Sequence, residues 1–243
     1  MIKFFRHIRK SMIKENRTTK YLLYAIGEIA LVVIGILIAL NINNSNETSK
    51  LEQKELILLT EMQQNLKQDL EELNENIIAN KERIRSNEVV KFALETHSPF
   101  HDSLKYHFGN TYGSFQLIEN TAAWENLKSI GLDLISNDSL RNSLAQLYST
   151  TYPYIENVER NTDAKYQWDQ LYPQILKHIN IDTMWVSGTP ENYEELILDR
   201  EFLEVIKLNL FLRSFMQNLY SDAKINVIAL LDQIESHILY LKK

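Results

Sequence analysis

The feature that most constrains this chain is an unbroken apolar stretch from Tyr21 to Ile42. Leu, Ile, Val and Ala dominate it, and no polar side chain interrupts Ile29 to Leu40. As an α-helix it would extend about 33 Å, which matches the roughly 30 Å hydrocarbon thickness of a bilayer. The stretch therefore predicts one transmembrane helix, although it contains a carboxylate, Glu28.

Charge is distributed unequally on the two sides of this stretch. Residues 1–20 hold seven Lys and Arg and one Glu, whereas residues 43–243 hold 19 Lys and Arg and 30 Asp and Glu. Short basic flanks stay in the cytoplasm. We therefore expect an inner-membrane protein with residues 1–20 cytoplasmic and residues 43–243 forming an acidic, periplasmic domain. The acidic body also disfavours nucleic acid as a partner.

A cleaved signal peptide is the main alternative to a membrane span. The basic region is 20 residues long, the apolar stretch exceeds the usual h-region of about 7–15 residues, and no small-x-small cleavage site follows. These features favour an uncleaved signal-anchor, with residues 21–42 as the transmembrane helix.

Residues 1–20 also carry an amphipathic pattern. Apolar residues recur at a spacing of three or four, with basic residues between them, which is typical of a helix lying on an anionic membrane surface. The basic residues that we expect at this surface are Lys3, Arg6, Arg9, Lys10 and Lys14. A plain basic flank that only sets the orientation is the alternative, and the two are compatible.

Glu28 lies on a face of the predicted span that also carries small residues. At about 100° per residue, one arc of roughly 60° holds Tyr24, Glu28, Gly35 and Ala39, and Gly27 lies further round. Small residues let two membrane helices approach closely, and a polar side chain can form a hydrogen bond across such an interface. We expect Gly27, Glu28, Gly35 and Ala39 to pack against another helix. The alternatives are a protonated or snorkelling Glu28 without a role, and a proton pathway.

Beyond the span, the chain has little turn chemistry. Six Gly and four Pro in 243 residues favour long helices over a many-stranded sheet. We expect an all-α fold in which one N-terminal transmembrane helix is followed by an elongated antiparallel helical bundle. The predicted helices cover 47–92, 100–108, 119–130, 139–179 and 199–241. Pro153 and Pro173 should kink or interrupt the fourth helix, and the Asn-rich residues 41–46 predict a loosened joint after the span.

The first helix after the span carries a longer repeat. Apolar residues recur at intervals of 11, as in Met62 and Leu73 or Leu66 and Ile77, which is close to 3.67 residues per turn. This spacing predicts a nearly straight helix packed in a bundle rather than a coiled coil.

No motif in the sequence carries recognisable chemistry. The absence of Cys excludes disulfides, thiolate metal sites and a Cys nucleophile. His97, His101 and His107 cluster, but Pro99 lies between two of them and no HExxH pattern surrounds them, so we expect surface or loop histidines and no metal. Because no nucleotide-binding glycine loop or GxSxG motif is present, we expect neither a cofactor nor an enzyme.

Two groups of side chains leave alternatives open. Aromatic residues are frequent in the fourth predicted helix, where they either pack in the core or line a groove for a ligand. They are Tyr148, Tyr152, Tyr154, Tyr166, Trp168 and Tyr172. Charged residues gather just before and at the start of that helix, where caps and surface ion pairs explain them more simply than acid–base chemistry. They are Glu125, Lys128, Asp133, Asp138 and Arg141.

Two stretches of the chain resemble a known family. The run YLLYAIGEIALVVIGILIALNINN behind the start MIKFFRHIRK, and the later segment AAWENLKSIGLDLISNDSLRNSL, are similar to the recurring segments of an uncharacterised family of single-span membrane proteins from flavobacteria and relatives. The resemblance implies a helical, membrane-anchored bacterial protein without an established activity. Many members carry a Trp after the Asn pair, where this chain has Ser45, which implies weaker anchoring at the interface.

These features together predict a membrane-anchored protein that tethers, scaffolds or binds a partner in the cell envelope. Its expected partners are the lipid bilayer and either a membrane or envelope protein or a second copy of itself. The alternative is a ligand-sensing helical bundle that signals through its span. Residues 1–20 are too short for an output domain, so a partner would have to relay that signal.

Overall fold

The computed structural model describes residues 18–242, so the expected membrane-surface residues Lys3, Arg6, Arg9, Lys10 and Lys14 lie outside the described residues. Helices dominate the described part, together with one two-stranded sheet. This confirms the expected all-α class. The chain divides into two compact units, Met1–Lys54 and Glu55–Lys243.

Helix α1 covers Thr18–Glu95, and its part up to Lys54 belongs to the first unit. The expected loosened joint is wrong, because residues 41–46 are helical. Each Asn lowers helix propensity by no more than about 0.7 kcal/mol, and no Gly or Pro follows Gly35 within the helix. An ion pair of 2.8 Å between Glu47 and Lys50 supports the turn directly after the Asn-rich residues.

The second unit continues in chain order with shorter elements and one further long helix. They are α2 (Leu104–Gly109), α3 (Ala122–Ile130), α4 (Asp138–Gln146), α5 (Tyr152–Val158), α6 (Tyr172–His178), β1 (Ile179–Thr183), β2 (Ser187–Pro190), α7 (Tyr193–Leu196) and α8 (Arg200–Leu241). Helices α4 to α6 are joined by π-helical turns into one continuous column, residues 138–178, which we call the middle column. Helix α8 begins close to the expected residue 199, and the side chain of Asp199 caps it by accepting the N–H of Phe202 at 3.0 Å.

The two prolines of the middle column lie where α-helix resumes after a π-helical turn. Pro153 follows the turn Leu147–Thr151, and Pro173 follows the turn Gln167–Leu171. Proline has no N–H to donate and is tolerated in the first turn of a helix. The expected interruptions are confirmed, and they take the form of π-helical turns within a continuous column.

Side-chain hydrogen bonds define how the long helices of the second unit run. Asn80 Nδ2 donates to the carbonyl of Arg213 at 2.8 Å, and Asn209 Nδ2 donates to Asn87 Oδ1 at 2.9 Å. The residue numbers of the contacts increase along α1 while they decrease along α8, so these two helices are antiparallel.

The middle column is also antiparallel to α8. Tyr220 donates to Glu159 at 2.7 Å and Gln167 donates to Asn209 at 2.7 Å. The column therefore runs in the same direction as α1. The expected antiparallel bundle thus contains one parallel pair, α1 and the middle column. After α1 ends, the chain must therefore return along α1 before the middle column begins.

That return is made by residues 96–137, which contain α2, an extended stretch and α3. We call the extended stretch, residues 111–121, the return segment. Asn76 donates to the Gln116 carbonyl at 3.2 Å and Asp69 accepts the Asn120 N–H at 2.8 Å, so the segment runs antiparallel to α1. Gly131 ends α3 with φ 119, a conformation that favours Gly, as expected for a residue after a helix.

A connection without regular structure was expected at residues 180–196, after a helix ending at Ile179, and this expectation is wrong. Strands β1 and β2 pair there as an antiparallel hairpin, with Ile179 opposite Pro190 and Ile181 opposite Gly188. Alternating β-branched residues are the signal that was overlooked. Helix α2 packs on this hairpin so closely that a Cβ on Gly109 would lie 2.3 Å from Ser187 N.

The interior of the second unit contains two apolar clusters. Residues such as Leu66, Leu144 and Ile234 form the first, and Phe108, Ile175 and Phe202 belong to the second. On all three long helical segments the two clusters are separated by buried polar residues.

Candidate functional site: a buried polar layer

The polar layer lies between the two apolar clusters and draws residues from every long helical segment of the second unit. Its members are Asn80, Arg83 and Asn87 on α1; Glu159, Asp163 and Gln167 on the middle column; and Asn209 and Arg213 on α8. All are at most 6 % exposed. Because burying so many polar groups is unfavourable unless they are hydrogen-bonded, their partners explain why they are there.

The main partner of the polar layer is the backbone of the return segment. An extended chain that is not paired in a sheet leaves its N–H and C=O groups unsatisfied, and burying them is costly. Glu159 accepts the Leu117 N–H at 2.9 Å, and Gln167 accepts the Gly113 N–H at 2.8 Å. Side chains therefore replace the neighbouring strand that this segment lacks.

The carbonyl groups of the return segment are satisfied in the same way. The Thr111 carbonyl accepts from Asn87 Nδ2 at 3.0 Å and from Asn209 Nδ2 at 2.6 Å. The Phe115 carbonyl accepts from the Tyr220 hydroxyl at 3.4 Å. Carboxamides and hydroxyls on two helices thus hold one connection in place.

Two guanidinium groups lie within the polar layer. Arg213 forms a buried ion pair with Asp163 and donates to the Gly113 carbonyl at 3.5 Å. Arg83 packs its guanidinium over the Phe115 ring at 4.6 Å, a cation–π contact. The pKa of each arginine is lowered to about 10, mainly by burial, and the Arg83 cation contributes to the shift at Arg213.

Two carboxylates that bind the return segment, Glu159 in the polar layer and Asp69 beside Leu66 and Leu73 of the first apolar cluster, have raised pKa values. Burial raises the pKa of Glu159 to about 7 and that of Asp69 to about 6. Tyr152 donates to Asp69 at 2.9 Å, and this bond opposes the effect of burial. Burial likewise raises the pKa of the Tyr152 hydroxyl, so it stays a donor.

The polar layer has no counterpart in the sequence predictions, because the spacing of apolar residues alone does not reveal it. Ten buried residues of α1 recur at alternating steps of four and three, which is a heptad pattern, and the expected 11-residue pairs Met62/Leu73 and Leu66/Ile77 are buried as well. The ten are Met62, Leu66, Asp69, Leu73, Asn76, Asn80, Arg83, Asn87, Val90 and Leu94. Five of these ten are polar, so the periodicity was visible only if polar residues were allowed into the core.

A second feature of interest is an open cleft of about 700 Å³ between the start of the middle column and the end of α8. Its floor is His237, which is 7 % exposed. Behind it, Glu55 Oε1 lies 2.8 Å from His237 Nε2 and accepts the Ser136 N–H at 2.8 Å.

Side chains at the floor of the cleft and behind it are the residue types of a catalytic triad, namely Ser136, His237 and Glu55. Their geometry is not that of a triad. In a catalytic triad, one imidazole nitrogen forms a hydrogen bond with the hydroxyl and the other forms one with the carboxylate. Here His237 Nε2 faces both Ser136 Oγ, at 3.2 Å, and Glu55 Oε1, while Ser136 Oγ itself donates to Glu55 at 3.1 Å. The cluster fastens the end of the connection 96–137 to α1 and α8.

The residues expected to pack in the membrane lie in the first unit. A Cβ added to Gly27 or Gly35 would meet nothing within 4 Å, Ala39 is exposed, and Glu28 is partly buried. The expected packing of this face against another helix stays a prediction.

The clustered histidines do not converge. His97 and His101 are exposed as expected, whereas His107 is half-buried, with its ring Nδ1 3.2 Å from Ser86 Oγ and its pKa lowered by burial. Within residues 18–242, no three His, Cys, Asp or Glu side chains are arranged to hold a metal ion.

The six aromatic residues of the fourth predicted helix do not share one environment, and the charged residues near its start lie on the surface. Tyr148 and Tyr152 are core residues in edge-on contact, whereas Tyr154 and Trp168 are exposed, and the six do not line one groove. The charged residues form the expected surface pairs: Glu125 with Lys128 at 2.8 Å and Asp138 with Arg141 at 2.6 Å.

The fold and the polar layer define a class: a helical protein whose interior side chains hold an extended return segment between two parallel helical columns. The chain belongs to the Family of unknown function (DUF6090), which matches residues 28–214. The match begins within the apolar stretch and ends directly after Arg213. Neither the curated proteins nor the solved structures contain a significant match.

Proposed function

We propose that this protein is anchored in the bacterial inner membrane by residues 21–42 and works by binding or tethering a partner in the cell envelope. The observation that carries the proposal is the uncovered apolar surface of the first unit. Its helix has a mean hydropathy of 2.5 over 18 residues, none of them buried. Large side chains from Leu22 to Ile42 are 47–66 % exposed, and a bilayer is the environment in which such a surface is stable.

The charge distribution supports an orientation with the N-terminus in the cytoplasm and residues 43–243 in the periplasm. In this orientation Glu55–Lys243 forms a folded periplasmic domain. We propose a binding rather than an enzymatic role for it, because Glu159 and Asp69, its carboxylates with raised pKa values, are engaged in holding the return segment.

The partner contact within the membrane is proposed for the face that carries Glu28, Gly35 and Ala39. The open space at Gly35 lets another helix approach the backbone closely. A second copy of this chain and a different membrane protein both fit this face.

A second candidate function is favoured by the cleft above His237. A pocket of about 700 Å³ is large enough for a small ligand. In this alternative the periplasmic domain senses a ligand, and a partner that contacts the span relays the signal.

Crosslinking in native membranes, followed by identification of the captured protein, tests the tethering proposal. We expect Glu28→Ala and Gly35→Leu to weaken the captured complex, because they remove the polar contact and the close approach. Ala30→Leu, which places a Leu side chain on the opposite face of the helix, is the control and should leave the complex unchanged. If all three variants capture the same proteins in equal yield, the span-packing proposal is wrong.

A further inference from the structure

A groove between the middle column and α8 is used neither by the polar layer nor by the proposed anchor. It consists of the cleft above His237 and an adjoining cleft of about 440 Å³, which share Ser139 and Gln233. The lining on α8 extends from Asn226 to Tyr240. At roughly 1.5 Å per residue, this is about 21 Å of groove, longer than a single small metabolite needs.

The lining of this groove consists mainly of neutral hydrogen-bonding side chains. Hydroxyls and carboxamides dominate it, among them Ser139, Asn142, Gln146, Asn226, Gln233 and Ser236. Asp232 is the one carboxylate among the lining residues, and no Lys or Arg is among them. An anionic ligand would lack a counter-charge there, and a divalent cation would lack the several oxygen ligands that it requires.

One end of the groove offers an aromatic surface. The rings of His237 and Tyr240 are stacked, with centroids 5.8 Å apart and an angle of 16° between their planes. Glu55 Oε1 lies 2.8 Å from His237 Nε2 on the side away from the groove, so the His237 ring is held in position before a ligand arrives. A flat ring beside hydroxyls and carboxamides suits a ligand that has an apolar face and many hydroxyl groups.

We propose that this groove binds a neutral, linear oligosaccharide, with one sugar ring against Tyr240 and His237 and the following rings along the carboxamides towards Asn226. Hydroxyl groups both donate and accept, as the Asn, Gln and Ser side chains of the lining do, so both kinds of group are satisfied. The proposal goes beyond membrane tethering and gives the sensing alternative a class of ligand. It does not depend on how the span packs.

Calorimetric titration of the full chain, purified in a detergent without a sugar head group, tests this proposal. The neutral probes are chitotetraose, cellotetraose and maltotetraose; tetragalacturonate and tetraalanine are the acidic and peptide probes. We expect at least one neutral probe to bind. Gln233→Ala should weaken that binding about tenfold, as the loss of one or two hydrogen bonds predicts, and Ser139→Trp should abolish it by filling the junction of the two clefts.

Asn218→Ala, an exposed carboxamide on α8 outside the groove, is the matched control and should bind like the unchanged chain. Ser139 and Gln233 are exposed, and circular dichroism will show that their variants keep the helical content. The proposal is overturned if no neutral probe binds, if only the acidic or the peptide probe binds, or if Ser139→Trp binds as well as the unchanged chain. Because the titration is made in detergent, its failure leaves the crosslinking test of tethering unaffected.

Discussion

Glu159 accepts the backbone N–H of Leu117 at 2.9 Å, although the two residues are 42 positions apart. The bond joins the middle column to the return segment, and Tyr220 on α8 donates to the same oxygen at 2.7 Å. One carboxylate therefore connects three parts of the second unit. It shows how a parallel pair of helical columns can be connected by an extended chain that has no strand beside it.

The first prediction concerns the buried ion pair between Arg213 and Asp163. Replacing Arg213 with Met leaves a buried carboxylate without its counter-charge, which should lower the free energy of unfolding by about 3–5 kcal/mol. The double variant Arg213→Met/Asp163→Leu should recover most of that loss, because neither charge is then buried. Guanidinium unfolding followed by the fluorescence of buried Trp124 measures both.

Arg200→Met is the control for this ion pair, since Arg200 is exposed at the start of the same helix. It should change the free energy of unfolding by less than about 0.5 kcal/mol. If Arg213→Met and Arg200→Met have equal free energies of unfolding, the ion pair between Arg213 and Asp163 is not buried as described.

The second prediction concerns pH. The pKa of Glu159 is about 7 and that of Asp69 about 6 in the folded chain, both above their unfolded values of 4.5 and 3.8. The folded state therefore binds more protons than the unfolded state between about pH 4 and pH 7, and these two groups make stability fall as pH rises through that window. We expect a higher unfolding midpoint at about pH 5 than at about pH 8.

Glu159→Gln tests the cause of this pH dependence. The amide resembles the protonated acid and its oxygen still accepts from Leu117, so the variant should be at least as stable at about pH 8 and should lose stability less steeply with pH. Glu194→Gln, an exposed control, should keep the original slope. An unchanged slope in Glu159→Gln would mean that Glu159 is ionised throughout this range.

The third prediction concerns the close approach of α2 to the hairpin. A Cβ on Gly109 would lie 2.3–2.5 Å from the backbone of Ser187, so Gly109→Ala should lower the free energy of unfolding by about 1–3 kcal/mol. Shortening the side chain with Ser187→Gly should not relieve this loss, because the contact is with backbone atoms.

Gly188→Ala provides a graded comparison for that contact. Its Cβ would lie 2.6 Å from a side-chain methyl group, Ile179 Cγ2. Gly188→Ala should therefore lower the free energy of unfolding less when Ile179 is also replaced by Ala, and a double-mutant cycle measures this difference. If Ser187→Gly rescues Gly109→Ala equally well, the backbone contact is not as close as the structure has it.

Much of the architecture could be predicted from local patterns. Helix α8 follows from its broad apolar face, and the end of α3 follows from Gly131. The positions of Pro153 and Pro173 indicated where the middle column departs from regular α-helix. These features depend on residues close together in the chain, which is why a single sequence reveals them.

The polar layer and the helix directions could not be predicted in this way. Asn87, Asn209 and Arg213 resemble surface residues in the sequence, and only contacts with the distant return segment make them buried. The parallel course of α1 and the middle column likewise depends on bonds such as Tyr152 to Asp69, which are 83 residues apart. Long-range pairing of this kind has no local signal.

The measurement that tests the account most directly is the labelling of single cysteines in intact cells. The chain has no Cys of its own, so Asn16→Cys, Ile34→Cys and Asn44→Cys each report one position, using a maleimide that passes the outer membrane but not the inner. We predict labelling of Asn44→Cys in intact cells, of Asn16→Cys only after lysis, and of Ile34→Cys only after denaturation. Labelling of Asn16→Cys and Asn44→Cys under the same conditions, or of Ile34→Cys in intact cells, would contradict the proposed membrane span.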